Sequence, residues 1–174
     1  AVQMKVIKQT INPNKFIIMD TMNFWMDNAL NELLSVIKKV NLLIINDEEA
    51  EQLTGEKNIY WAAEKILKTG PSKVIIKKGE HGSIYFDGKN NYLLPAFPVT
   101  ALIDPTGAGD SFAGGIAGLL STKNKIGFEE IKEAMLYGTL TASFCVESFG
   151  IEGLRKLDKE TLNRRLKIFK SYLT

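Results

Sequence analysis

Three short apolar runs separated by helix-length patterns constrain this chain most. They are "FIIMD" at 16–20, "LLII" at 42–45 and "KVIIKK" at 73–78. Short, continuous apolar stretches of this kind predict buried strands. Between the first two lies a helical pattern over 27–39, with Leu30, Leu33, Leu34 and Ile37 on one stripe. Between the second and third, "DEEAEQL" starts a short helix that Gly55 stops. "IYWAAEKILKTG" forms another, with Glu64 and Lys68 spaced i,i+4, Gly70 as its cap and Pro71 behind it. Strand and helix in alternation imply parallel strands joined by right-handed crossovers, the α/β class.

The pattern then changes. "SIYFDGKNNYLLP" at 83–95 predicts a hairpin turning at Asp87-Gly88. "VTALI" at 99–103 is a further apolar run leading into a glycine-rich loop. Helical patterns follow at about 110–121, 128–147 and 158–172. No repeat, low-complexity tract or linker composition marks a domain boundary. With 174 residues and 45% hydrophobic content, one globular domain is expected.

The charge balance removes several function classes. Lys and Arg total 22 against 20 Asp and Glu, a formal charge of +2, which argues against nucleic acid or an anionic membrane as partner. The densest basic cluster, "RRLKIFK" at 164–170, reads as a solvated helix face. A single cysteine, Cys145, excludes an intrachain disulfide and suits a reducing compartment. Its helical context suggests a buried structural thiol. No apolar run is long enough to span a bilayer, and "AVQMKVIKQT" at the start lacks a signal-peptide core. A cytoplasmic protein is expected.

The loop "DPTGAGDSFAGG" at 104–115 carries the chemistry. It contains no lysine and does not satisfy the P-loop pattern. Gly107 and Gly109 fit the dinucleotide fingerprint G-x-G-x-x-G, but Phe112 occupies its last position. The remaining reading is a nest at a helix N-terminus, where the N–H groups of Gly107, Ala108 and Gly109 face an anion. Asp110 then stands at the loop exit. It caps the helix start, or it accepts a proton from a hydroxyl lying between it and the anion.

The longer run "DPTGAGDSFAGGIA" at 104–117 resembles the C-terminal signature of the PfkB, or ribokinase-like, carbohydrate kinases. That resemblance implies Gly107, Ala108 and Gly109 as the anion hole and Asp110 as the catalytic base. "NDEE" at 46–49 is similar to the family's N-x-x-E motif, with Asn46 near the phosphates and Glu49 ordering Mg²⁺ through phosphate or water. A capped helix start explains the same tetrapeptide. "KKGEHGS" at 77–83 is similar to the family's glycine turn on the nucleotide side, with Lys77, Gly79 and Gly82 as the matching positions. A plain hairpin turn is the alternative. His81, the one histidine, has no Cys or His partners and is assigned no metal. "YGTLTASFCVESFG" at 137–150 resembles the adenine-flanking helix, which puts Thr139 near a nucleotide, although its small residues also suit helix packing. Asp104, Thr106 and Gly150 correspond to positions that hold K⁺ in some relatives.

The resemblance covers roughly residues 16–172 and implies a ribokinase-like, Rossmann-like three-layer sandwich with a mainly parallel sheet. The family's N-terminal part, with its sugar-gripping glycine pair and β-rich lid, has no counterpart here. Residues 1–174 therefore resemble a single partial domain, the nucleotide-binding and catalytic-base half. The implied activity is transfer of phosphate from ATP, with Mg²⁺, to a hydroxyl of a small sugar or nucleoside, by a fragment expected to be inactive alone. The intact protein is expected to be a homodimer. A dinucleotide-binding oxidoreductase and a non-catalytic nucleotide-binding module are the alternatives.

Overall fold

The computed structural model describes residues 2–9 and 15–173. They form two compact units, one of residues Ala1–Gly79 and Ser83–Leu93, the other of Glu80–Gly82 and Leu94–Thr174.

The first unit is built on a sheet of order β1-β2-β3-β4-β5. Strands β1 (Ile18–Asp20), β2 (Leu42–Asn46) and β3 (Lys73–Lys77) run parallel. Strand β4 (Ser83–Phe86) turns back antiparallel on β3, and β5 (Asn91–Leu94) closes the hairpin. The turn is held by Asp87, whose carboxylate accepts from the backbone N–H groups of Lys89 and Asn90 at 2.9 and 2.6 Å. Helices α2 (Asn23–Asn28) and α3 (Leu30–Ile37) fill the first crossover, α4 (Asp47–Thr54) and α5 (Ile59–Thr69) the second. Leu43 and Ile45 of β2 pair in register with Val74 and Ile76 of β3. All four pack with Leu33, Val36 and Ile37 of α3 and Ala62, Ala63 and Ile66 of α5. Helix α1 (Val2–Lys8) adds Met4 and Ile7 to this core. The alternate side chains Leu42, Ile44 and Ile75 are fully buried as well. That two-sided burial is why these strands read as continuous apolar runs. Each such side chain contributes about 1.5–3 kcal/mol.

One expectation fails here. The helix expected over 27–39 is two helices, broken at Ala29, whose φ of −153° leaves the helical region. The Asn28 side chain bonds back to Phe24 O at 2.8 Å, ending α2 locally. As a result the buried stripe is Leu33, Val36 and Ile37, while Leu30 is exposed. The apolar run at 99–103 forms no strand. The Ile103 and Asp104 N–H groups both donate to Val146 O, at 2.8 and 3.3 Å, and Leu102 and Ile103 lie exposed.

The second unit is helical: α6 (Ala108–Leu120), α7 (Phe128–Val146), α8 (Glu152–Arg155) and α9 (Lys159–Tyr172). Helices α6 and α7 meet through glycines. A Cβ on Gly138 would sit 2.8 Å from Phe112 O, and one on Gly115 would sit 2.9 Å from Gly138 Cα. Across this seam the Thr141 hydroxyl donates to Ser111 O at 2.8 Å. Helix α9 docks through buried Phe169 and through Arg165, which lies 3.6 Å over the Phe144 ring and pairs with Glu147 at 2.6 Å.

Candidate functional site

In the first unit, polar residues gather at the carboxyl ends of the parallel strands, where open α/β sheets place ligands. Strand β2 ends on Asn46, which caps α4 in a reciprocal box. Its Oδ1 accepts from Glu49 N at 2.7 Å, and Glu49 Oε2 accepts from Asn46 N at 3.0 Å. Asp47, Glu48 and Glu49 all occupy the first turn, complementing the helix dipole. Glu49 is nonetheless only 4% exposed. Burial pushes its carboxyl above the usual value, while the Asn46 N–H and the charge of Lys77 pull it back. A buried carboxylate short of positive charge suits a cation neighbour.

Lys77 ends β3 directly opposite Asn46. Its ammonium lies 3.0 Å from both carboxylate oxygens of Asp20, the last residue of β1. Asp20 was not among the residues singled out from the sequence. Its signal was present in "FIIMD", an apolar strand that stops on an acid. Beyond β3, Gly79 has φ +55° and opens a short turn over Gly79–His81. His81 is exposed.

In the second unit, Gly82 has φ +89°, and a Cβ there would run into Leu94 O and Pro95, so only glycine fits. The signature loop follows the irregular segment 95–107. Gly107 adopts φ +79° and N-caps α6 with no side-chain cap. The first-turn N–H groups of Gly109 and Asp110 are thus not covered by a side chain, while Ala108 N donates to Pro105 O at 3.2 Å. That bond changes the expected nest: Ala108 is engaged in the turn itself. Asp110 is the acid of this first turn and is exposed.

Beneath the loop, Asp104 ties two segments together. Its Oδ1 accepts from Thr106 N at 2.9 Å and its Oδ2 from Gly150 N at 3.3 Å. These bonds, the Thr106 one first, hold the Asp104 carboxyl below its usual value. The Cys145 thiol lies 3.5 Å from Thr106 O and 3.8 Å from Gly150 O, so the two carbonyls converge on one atom. Thr139 is buried in α7 at 7% exposure, which favours packing over nucleotide contact. Among the described residues no three His, Cys, Asp or Glu side chains form a metal cluster. A divalent ion here would need phosphate or water to complete its shell. None of the helices among the described residues is long and apolar enough to cross a membrane.

An α/β unit with polar strand ends, and a glycine-capped helix bearing an acid in its first turn, define a chain of the ribokinase fold. The aminoimidazole riboside kinase of Salmonella enterica, solved with aminoimidazole riboside and an ATP analogue, superposes with a TM-score of 0.81 at 20% identity, over 94% of this chain and 56% of that one. The chain belongs to the pfkB family of carbohydrate kinases, whose model matches residues 2–155. It is 32% identical over 111 residues to a cytidine kinase of Thermococcus kodakarensis, covering 59% of this chain and 40% of that kinase. It is 33% identical over 120 residues to a nucleoside kinase of Methanocaldococcus jannaschii, covering 69% and 37% respectively. The chain thus spans about two fifths of the length of these relatives.

Proposed function

We propose that these residues serve an ATP-dependent kinase that phosphorylates a hydroxyl of a small sugar or nucleoside. The observation that carries this reading is Asp110, an exposed acid in the first turn of a helix whose N-terminus is capped by a left-handed glycine alone. When bound, ATP supplies the phosphoryl group and Mg²⁺ screens its charge. The first-turn N–H groups of α6 and its dipole hold the negative charge that develops on the transferred group. An ordinary carboxylate is too weak a base to ionise an alcohol in advance, with a pKa of about 3.9. Asp110 would instead take up the hydroxyl proton as the acceptor oxygen bonds the γ-phosphorus and the bond from that phosphorus to the departing ADP breaks.

Asn46 lies near the phosphates and Glu49 orders the metal through phosphate or water, and the capping box that fixes the buried Glu49 carboxyl at the end of β2 supports that assignment. Lys77, with the turn glycines Gly79 and Gly82, belongs to the nucleotide side. Asp104, Thr106 and Gly150, which meet in one corner through the bonds of Asp104, are the positions for K⁺. The sugar or nucleoside acceptor class is supported by the reported relatives, two of them kinases of nucleosides.

The test is Asp110→Asn in an intact protein carrying these residues. Asn caps a helix almost as well as Asp, so the melt should hold while kcat falls about 10²- to 10⁴-fold with ATP affinity retained. A folded variant with near-normal kcat would reduce Asp110 to a helix cap.

A further inference from the structure

The pairing of Lys77 with Asp20 has no role in the mechanism above. The two lie 57 residues apart in sequence, both oxygens at 3.0 Å, with side chains only 17% and 22% exposed. They sit on β3 and β1, which are not neighbours, so the bridge crosses the end of β2 beside Asn46 and Glu49. A half-buried pair of this kind adds little net stability, because desolvation offsets most of the attraction. What it does is place an ammonium at the strand ends and keep it neutralised. The adjoining residue, Thr21, donates its N–H to Asp20 Oδ1 at 3.0 Å, yet its buried hydroxyl has no hydrogen-bond partner. A buried orphan hydroxyl points to a water or ligand group that completes this corner.

We propose that Asp20 is a positioning residue that parks Lys77 while no nucleotide is bound and yields it to the polyphosphate of ATP. The inference rests on the kinase reading and deepens it. Phosphate oxygens can replace a carboxylate on the same ammonium with charge-assisted bonds of similar strength. Lys77 is then charged and partnered in both states. Register through β2 fixes the strand ends, so the exchange requires side-chain rotation alone. Asp20 thereby lowers affinity only for a polyanion, which must displace it from Lys77, and leaves neutral molecules unaffected. The Lys77 ammonium supplies the preference for ATP over neutral nucleosides, and Asp20 tempers it.

Calorimetric binding of ATP and of adenosine to the 174-residue chain, to Asp20→Asn, to Lys77→Met and to the double variant tests this. Asp20→Asn should tighten ATP about fivefold or more, a typical coupling between sites, and leave adenosine unchanged. With Lys77→Met in the background most of that gain should vanish. An equal gain in both backgrounds would mean plain charge repulsion and end the exchange model. The unmutated chain offers a second readout that needs no variant to fold. Saturating ATP should move the Asp20 carboxyl carbon resonance as its partner leaves; ATP binding with that resonance unmoved overturns the proposal and spares the kinase reading. A wild-type chain with no ATP affinity removes both.

Discussion

Replacing Gly115 by Ala puts the α6–α7 seam to a direct test. The added Cβ would meet the Thr141 hydroxyl, Gly138 Cα at 2.9 Å and Tyr137 O at 3.0 Å. Two of these three atoms are α7 backbone, so no rotamer change can make room. The helices must part, at about 1–3 kcal/mol for overpacking. The Thr141 bond to Ser111 O is strained as well, for about 1 kcal/mol. Ala regains about 1 kcal/mol of helix propensity over Gly. The net expectation is a loss of about 1–3 kcal/mol. At about 2–4 °C per kcal/mol for a chain of this size, the melting temperature should fall by roughly 2–12 °C. Gly118→Ala is the control on the same helix, since its Cβ would meet nothing within 4 Å. It should gain about 0.4–1 kcal/mol. Thermal melts of the two variants beside the parent decide the matter. If Gly115→Ala melts as high as Gly118→Ala, the seam is not close-packed and the reasoning fails.

Two further outcomes are expected. Glu49→Gln should keep the capping box, since Gln serves at that position, but raise the Mg²⁺ needed for half-maximal activity of the intact protein by about 10- to 100-fold; an unchanged Mg²⁺ titration would leave Glu49 as a helix-start residue. At Asp87, burial alone would raise the carboxyl, but bonds from Asn90, Lys89 and Tyr85 outweigh it and bring it from 3.8 to about 2. Because the folded value is the lower one, its stabilisation is present above about pH 4 and lost as pH falls through about 2. For this partly exposed group that is worth about 1–2 kcal/mol, so the stability gap between the parent and Asp87→Asn should close between pH 5 and 2; a gap independent of pH would contradict it.

What could be read in advance follows the range of the interactions. Strands β2 and β3 announce themselves because both faces are buried, and Gly55 and Gly70 end helices by local backbone geometry. The box between Asn46 and Glu49 spans three residues, so it too is written locally. Its capping role and a role toward a metal are compatible, since the bonds that cap α4 also orient the buried acid. The run at 99–103 is apolar without being buried throughout, because apolar composition signals burial only on average. Leu102 and Ile103 are 67% and 60% exposed. The tie between Asp20 and Lys77 depends on two strands reaching the same sheet edge, and the glycine seam depends on how two helices cross. Neither is a property of any short window.

Cys145 gives the chain a built-in clock. It is the sole thiol, it is 1% exposed, and its sulfur sits against the carbonyls of Thr106 and Gly150. A thiol reagent can reach it only when the signature loop or the end of α7 lifts away. The rate of its modification therefore counts opening events of that corner without any label or substitution. A ligand that clamps the loop slows the clock, whereas one bound elsewhere leaves it running, so a simple colorimetric reaction can locate binding on this chain before any turnover is measured.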